Sequence, residues 1–284
     1  MTTSLETIIT DTEITRMTKT KEKYTTAVFL TDEHIPYVSE EMIKIAEQYL
    51  QEEKPRYRIH GGDLFDNPGM SVFDPDPNHK RDTQEEIDET VQYLHRLHQA
   101  SPETEVIIIA GNHDVGRLER LKSSRGMALK NLRAMEYPKL IMESAEHQGL
   151  EIGEPKFAEN YELCGGHLYF THGDPRMDPK IKGGVTGARR TAETHPSKGH
   201  IIMGHRHKSQ VASGPWGTRK VYVVPAMMDL KHKTYTHYSD YENGFLVAKF
   251  SPNVRPQPSI HIQNVVASKD GDMLIDGKVY NARR

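Results

Sequence analysis

The sequence predicts an α/β protein in which two mixed β-sheets pack together and helices cover their outer faces. Two patterns carry that expectation. In the first half, short apolar runs alternate with stretches of helical periodicity. In the second half, glycine-containing turns join short strands into hairpins, which suits a second sheet packed on the first. A length of 284 residues is enough for one sizeable domain with decorations.

The elements follow in order. Thr25 to Thr31 is an apolar, β-branched strand. Met42, Ile45, Ala46, Tyr49 and Leu50 share one face of a helix. Tyr57 to His60 is a second strand, ending at Gly61-Gly62, and Asp63 to Asp82 reads as a Pro- and Gly-bearing loop. Thr83 and Glu86 form a capping box ahead of a helix carrying Ile87, Val91, Leu94 and Leu97. Glu105 to Ala110 is a strand apolar enough to be buried on both faces. Two short helical segments fill Arg117 to Met135. Tyr161 to Cys164 and His167 to Thr171 flank Gly165-Gly166 as a hairpin, followed by a helix near Ala188 to Glu193 and a strand from His200 to Met203. Gln210 to Ser213 and Lys220 to Val224 form another hairpin. Gly244 to Phe250 and Ser259 to Val266 are late strands, with a small hairpin around Asp276-Gly277. Residues 1–23 read as a flexible arm and 24–284 as a single domain with C-terminal strands.

Composition narrows the function classes. No apolar run approaches the ~20 residues of a membrane helix, and Met1 to Lys23 has no apolar core like that of a secretory signal, so a cytoplasmic location is expected. The single cysteine, Cys164, excludes an internal disulfide framework and reads as a small hairpin side chain. A formal net charge of -3 supplies no global field for nucleic acid. Sixteen histidines make their placement the question.

Ligand-type residues recur at strand ends, where α/β folds place active-site loops. Asp32-Glu33-His34 follows the first strand, Gly62-Asp63 the second, and Gly111-Asn112-His113-Asp114 the third. Thr171-His172-Gly173 and Gly204-His205-Arg206-His207 end two later strands. A hydrolytic metal pair sits ~3.5–4 Å apart and needs a ligand that bridges both ions. A carboxylate can do so while offsetting their charge, which makes Asp63 the natural bridge. Imidazole and carboxylate donors suit Mn, Fe, Zn, Co or Ni, and these side chains do not distinguish among them. The histidines outside these motifs, His60 among them, read as surface or packing residues.

The ordered series DEH, GGD, GNHD, THG and GHRH resembles the calcineurin-like metallophosphoesterase superfamily. The resemblance implies a four-layer αββα sandwich and two divalent metal ions as cofactor. It implies that Asp32, His34, Asp63 and His207 hold one ion, and that Asp63, Asn112, His172 and His205 hold the other. His113 would be the general acid and Asp114 would help to orient it. The implied reaction is direct attack of a metal-bridging hydroxide on phosphorus, with no covalent phospho-enzyme.

The family does not choose a substrate. Gly61 to Phe65, GGDLF, is similar to the double-strand-break repair nuclease branch, although Asp66 stands where that branch usually has histidine. The 66–76 loop and the GARR stretch (Gly187 to Arg190) are similar to phosphoesterases of phages and bacteria. Phosphodiester cleavage is therefore the favoured reading, with a nucleotide or nucleic acid as candidate substrate. A DNA nuclease and a phosphomonoesterase are the alternatives, and a non-catalytic metal-binding scaffold ranks last because His113 is present. Arg117, Arg120 and Arg189 are candidates to meet substrate phosphate, Lys180, Lys182 and Arg190 could extend a basic rim, and Tyr235 to Tyr238 could wall a pocket.

Overall fold

The computed structural model describes residues 24–71, 81–124, 133–217, 219–231, 240–251 and 258–283. The expected arm at 1–23, the Tyr235 to Tyr238 segment and residues 72–76 of the 66–76 loop lie outside them.

Six strands form the first sheet: β1 (Thr25–Leu30), β2 (Tyr57–His60), β3 (Glu105–Ile109), β4 (Lys156–Ala158), β10 (Gly244–Phe250) and β11 (Ile260–Val266). Their order is β11-β10-β1-β2-β3-β4. β1 to β4 run parallel, and β10 and β11 add antiparallel at one side. The second sheet contains β5 (Asn160–Leu163), β6 (Leu168–Thr171), β7 (His200–Met203), β8 (Gln210–Ser213) and β9 (Lys220–Val223), ordered β5-β6-β7-β9-β8. β12 (Met273–Ile275) and β13 (Lys278–Tyr280) close a terminal hairpin.

Alternation along each strand builds the layers. In β1, Ala27 and Phe29 enter the core between the sheets, with Ile59, Ile107, Leu168, Phe170 and Ile202. Val28 and Leu30 point the other way, into a core shared with helices. These helices are α1 (Glu40–Glu53), α2 (Thr83–Ala100) and α4 (Tyr137–Gln148). On the far side, Tyr169, Ile201, Met203, Val221 and Val223 pack with Ala188 and Ala192 of α5 (Gly187–Thr194). The order is helix, sheet, sheet, helix: the expected αββα sandwich. Among the described residues, no helix is long and apolar enough to cross a membrane.

Three sequence expectations need correction. The capping box of α2 is Asp82 with Glu85, one residue earlier than expected. Thr83 and Glu86 turn inward instead: Thr83 Oγ1 donates to Asn67 Oδ1, and Glu86 Oε2 accepts from the Asn67 amide at 2.6 Å. Helix α4 lies beyond the region assigned to helices, although Pro at its first turn and Gly149 at its left-handed C-cap mark its ends. Strand β4 was also unforeseen, being three edge residues without apolar alternation. In Arg117 to Met135, α3 (Arg117–Ser124) and a short 3-10 turn at Arg133–Met135 are described.

Candidate metal centre

All five motifs meet at one end of the sandwich. The chain must turn sharply there, and it does so on the ligand residues themselves. Asp32, His34, Asp63, His205 and His207 all have left-handed backbones, with φ of 54°, 48°, 54°, 69° and 53°. Asp and His adopt this region more readily than most residues, yet concentrated backbone strain marks functional sites. Pairing between loops holds the turns: the amides of Asp32 and His34 donate to the carbonyls of Gly62 and Asp63 at 3.1 and 2.9 Å.

Two glycines are demanded by close approach. A Cβ on Gly111 would stand 2.0 Å from the Asp63 nitrogen and 2.3 Å from its Oδ1. A Cβ on Gly204 would meet Thr31 Oγ1 at 2.1 Å and Asp32 Oδ2 at 2.6 Å. Side chains at these positions would push apart the carboxylates they frame.

The donor atoms fall into three groups, one of them His34, Asp66 and His113. Asp32, His34 and His207 offer ligand atoms all within 4.8 Å of one another, as do Asp63, His172 and His205. Asp63 lies between them: its Oδ2 is 3.4 Å from His172 Nε2 and 3.9 Å from His34 Nε2. Asn112 Oδ1 joins the second group, 2.9 Å from His172 Nε2. Backbone donors fix the carboxylates. The His113 amide donates to Asp63 Oδ1 at 2.8 Å, while the His205 amide and the Thr31 hydroxyl donate to Asp32 Oδ2 at 2.9 and 3.0 Å. The Nδ1 of His172 donates to the Gly61 carbonyl at 3.0 Å, leaving Nε2 to face the centre.

The donor chemistry fits divalent cations. His34 Nε2 and His207 Nε2 converge to 3.2 Å, two imidazole nitrogens aimed at one place. Electrostatics agree. Burial alone would raise Asp32, yet His207 beside it brings it down to about 2. Burial alone would lower His172, but Asp63 and Asp32 outweigh that and hold its pKa up at about 10. Without metal, protons on histidine thus offset buried carboxylate charge; a divalent ion there would displace them.

His113 lies outside the groups of Asp32 and of Asp63 and shares the remaining one with His34 and Asp66. Its Nδ1 is 2.8 Å from Asp66 Oδ1, and its Nε2 faces the cavity, 3.9 Å from Asp63 Oδ2. Burial opposes the charged ring, but nearby Asp63 and hydrogen-bonded Asp66 hold the pKa above the ordinary histidine value. The carboxylate in contact with the His113 ring is Asp66, whereas Asp114 acts on the backbone that carries it. Asp114 points into the backbone, accepting from Gly111 and Val115 amides through Oδ1 and from Leu64 through Oδ2. It shapes the π-type turn Asn112–Gly116 that presents Asn112 and His113. Asp66 also accepts from His34 Nδ1 at 2.9 Å, so one carboxylate braces a candidate ligand and the candidate acid. Asp66 was legible only as a departure from the nuclease pattern, and its partners lie 32 and 47 residues away.

Of the candidate substrate contacts, Arg117 lines the central cavity with His34, Asp63, Asn112, His113, His205, His207, Met228 and Tyr241. Its guanidinium donates to the Asp66 and Asn67 carbonyls and lies 3.3 Å from His113 Nε2. Arg120 is exposed and donates to the Met70 carbonyl. Arg189 is exposed on α5, paired with Glu193 at 3.0 Å. Neither lines this cavity. Tyr241 was not singled out in the sequence; its ring packs edge-on to His207 with centroids 4.6 Å apart. Cys164 is buried, which pushes its thiol pKa up and fits a packing role.

The family model for the calcineurin-like phosphoesterases matches residues 25–222, well over half of the chain. The chain belongs to that family. This phosphoesterase is accordingly a metal-dependent hydrolase of phosphate esters. No curated protein sequence matches it significantly. Among solved structures, it is similar to vacuolar protein sorting 29 from Cryptosporidium parvum, at 14% identity, covering 91% of this chain and 95% of that one with a TM-score of 0.45. A dimetal phosphatase from Danio rerio matches at 12% identity over 83% and 98%, TM-score 0.40. The phosphoesterase Yfce from E. coli matches at 10% over 84% and 99%, TM-score 0.36. Likenesses at this level carry no argument about site or substrate; membership rests on the family model.

Proposed function

We propose that this phosphoesterase cleaves a phosphodiester with two manganese ions, His113 serving as general acid. Asp32, His34, Asp63 and His207 hold one ion, and Asp63, Asn112, His172 and His205 hold the other. Residues 24–284 act as one domain in the cytoplasm, with a nucleotide or nucleic acid as the leading substrate class. The observation that carries the reading is the placement of His113 at the cavity, gripped through Nδ1 by Asp66.

When bound, the two ions supply charge to offset that developing on the phosphoryl oxygens and lower the pKa of the attacking water. The chain's residues do the rest. Asp66 fixes the His113 ring and favours its proton, so that Nε2 can protonate the departing oxygen. Arg117 Nη2, a donor 3.3 Å from Nε2, opposes the proton there and has to turn aside when Nε2 carries it. Preference for a diester is supported by the cavity wall. Arg117 is the one arginine or lysine among its described lining residues, and it is already engaged by two carbonyls. Met228 and Tyr241 give an apolar flank. A singly charged diester with a second organic arm suits that wall better than a dianionic monoester.

The test is hydrolysis of bis-p-nitrophenyl phosphate against p-nitrophenyl phosphate with Mn. A higher kcat/KM for the diester is expected, and faster monoester cleavage would overturn the preference. If neither is cleaved while two Mn ions are bound, the catalytic reading fails. The GGDLF motif keeps a nuclease as second reading. Linear DNA left intact under conditions that hydrolyse the small diester would remove it.

A further inference from the structure

Between Asp32 and His34 stands Glu33, whose side chain leaves the metal side and is fully buried. Its Oε1 shares a 2.7 Å hydrogen bond with Nδ1 of His60, the last residue of β2. Neighbouring strands place Val28, Leu30, Val106 and Ile108 in this helix-side core, so the pair sits among apolar side chains. A polar group buried in such a place is costly unless it is hydrogen-bonded.

The placement is informative because the loop is strained. Asp32 and His34 are both left-handed, so the turn between β1 and α1 needs an anchor to stay in that shape. Glu33 is the residue between them, and it points opposite to both. We propose that Glu33 and His60 are positioning residues: a buried hydrogen bond behind the sheet that holds Asp32 and His34 in register for one of the two ions. This rests on the proposed role of Asp32 and His34 as ligands.

Mn binding to the full chain, followed by calorimetry and by the exchange-coupled electron paramagnetic resonance of a Mn pair, tests it. Glu33→Ala should weaken one Mn at least tenfold, leave the other near its native affinity, and replace the coupled spectrum by that of a single ion. Glu33→Gln, which keeps an acceptor for His60 Nδ1, should hold both ions to within threefold of native affinity. His60→Leu, which leaves Glu33 without that partner, should weaken the same ion as Glu33→Ala and decides the matter if Glu33→Ala does not fold. Native affinity for both ions in Glu33→Ala or His60→Leu, an equal loss of both, or loss of an ion in Glu33→Gln would overturn the proposal. Asp32→Ala separates the two readings. If it leaves both ions bound, the ligand assignment falls and takes this inference with it. If it loses one ion while the Glu33 variants behave as the native protein, only the positioning role falls.

Discussion

Replacing Asp66 by Asn changes one atom and removes one charge, at a point where two hydrogen bonds meet. Asp66 Oδ1 lies 2.9 Å from His34 Nδ1 and 2.8 Å from His113 Nδ1. A hydrogen bond to a charged group contributes roughly 1.5–3 kcal/mol, about twice a neutral one. Asparagine still offers an acceptor oxygen, so only the charge-dependent share of each bond is lost. Over two bonds, that is about 1.5–3 kcal/mol, or roughly 10- to 150-fold in kcat/KM, close to the range typical of groups that orient metal ligands. The pH profile should shift as well. Asp66 helps to hold His113 above the ordinary histidine pKa. A general acid works only while protonated, so without that carboxylate the alkaline limb of kcat should move to lower pH. The assay is steady-state hydrolysis of bis-p-nitrophenyl phosphate with saturating Mn across pH 5 to 10 (about the range in which histidine titrates). Native rates, or a slower enzyme with an unmoved alkaline limb, would refute the role given to Asp66.

His113→Ala should retain two Mn ions yet lose roughly 10²–10⁴-fold in kcat; loss of metal would mean that His113 is a ligand. Gly111→Ala should lower the thermal midpoint and abolish native Mn stoichiometry, since its Cβ would fall 2.0 Å from the Asp63 nitrogen; normal Mn binding would contradict the crowding argument. The metal-free chain should release protons when Mn is added at pH 8, measurable as a buffer-dependent calorimetric enthalpy, because His172 is held up at about 10. The sign for stability follows. A raised histidine pKa stabilises the metal-free fold fully below its ordinary value of 6.5, and that contribution fades as pH rises through about 10. Denaturant midpoints of the metal-free chain that stay flat or rise across this window would contradict it.

The layers were legible because short apolar runs such as Thr25 to Leu30 mark strands buried in the sheets, a signal that local sequence carries. The expected ligand residues were legible because each stands directly after a strand. What escaped notice depends on contacts between distant segments. Asp66 looks like an ordinary loop acid until His34 and His113 fold onto it. Asp114 follows His113 in sequence, yet the turn it caps sends its carboxylate to backbone amides. Glu33 and Arg58 carry no sequence signal of their burial, which only the fold reveals. Arg120 and Arg189 show the converse: their place after a motif suggested a role, while helix geometry turns them to solvent.

The central claim is that seven side chains hold two ions with Asp63 between them. Anomalous diffraction from crystals of the protein grown with Mn tests it most directly. The account predicts two peaks about 3.5–4 Å apart, both within coordination distance of Asp63, one flanked by Asp32, His34 and His207 and the other by Asn112, His172 and His205. A single peak, or a pair that leaves Asp63 out, would contradict it.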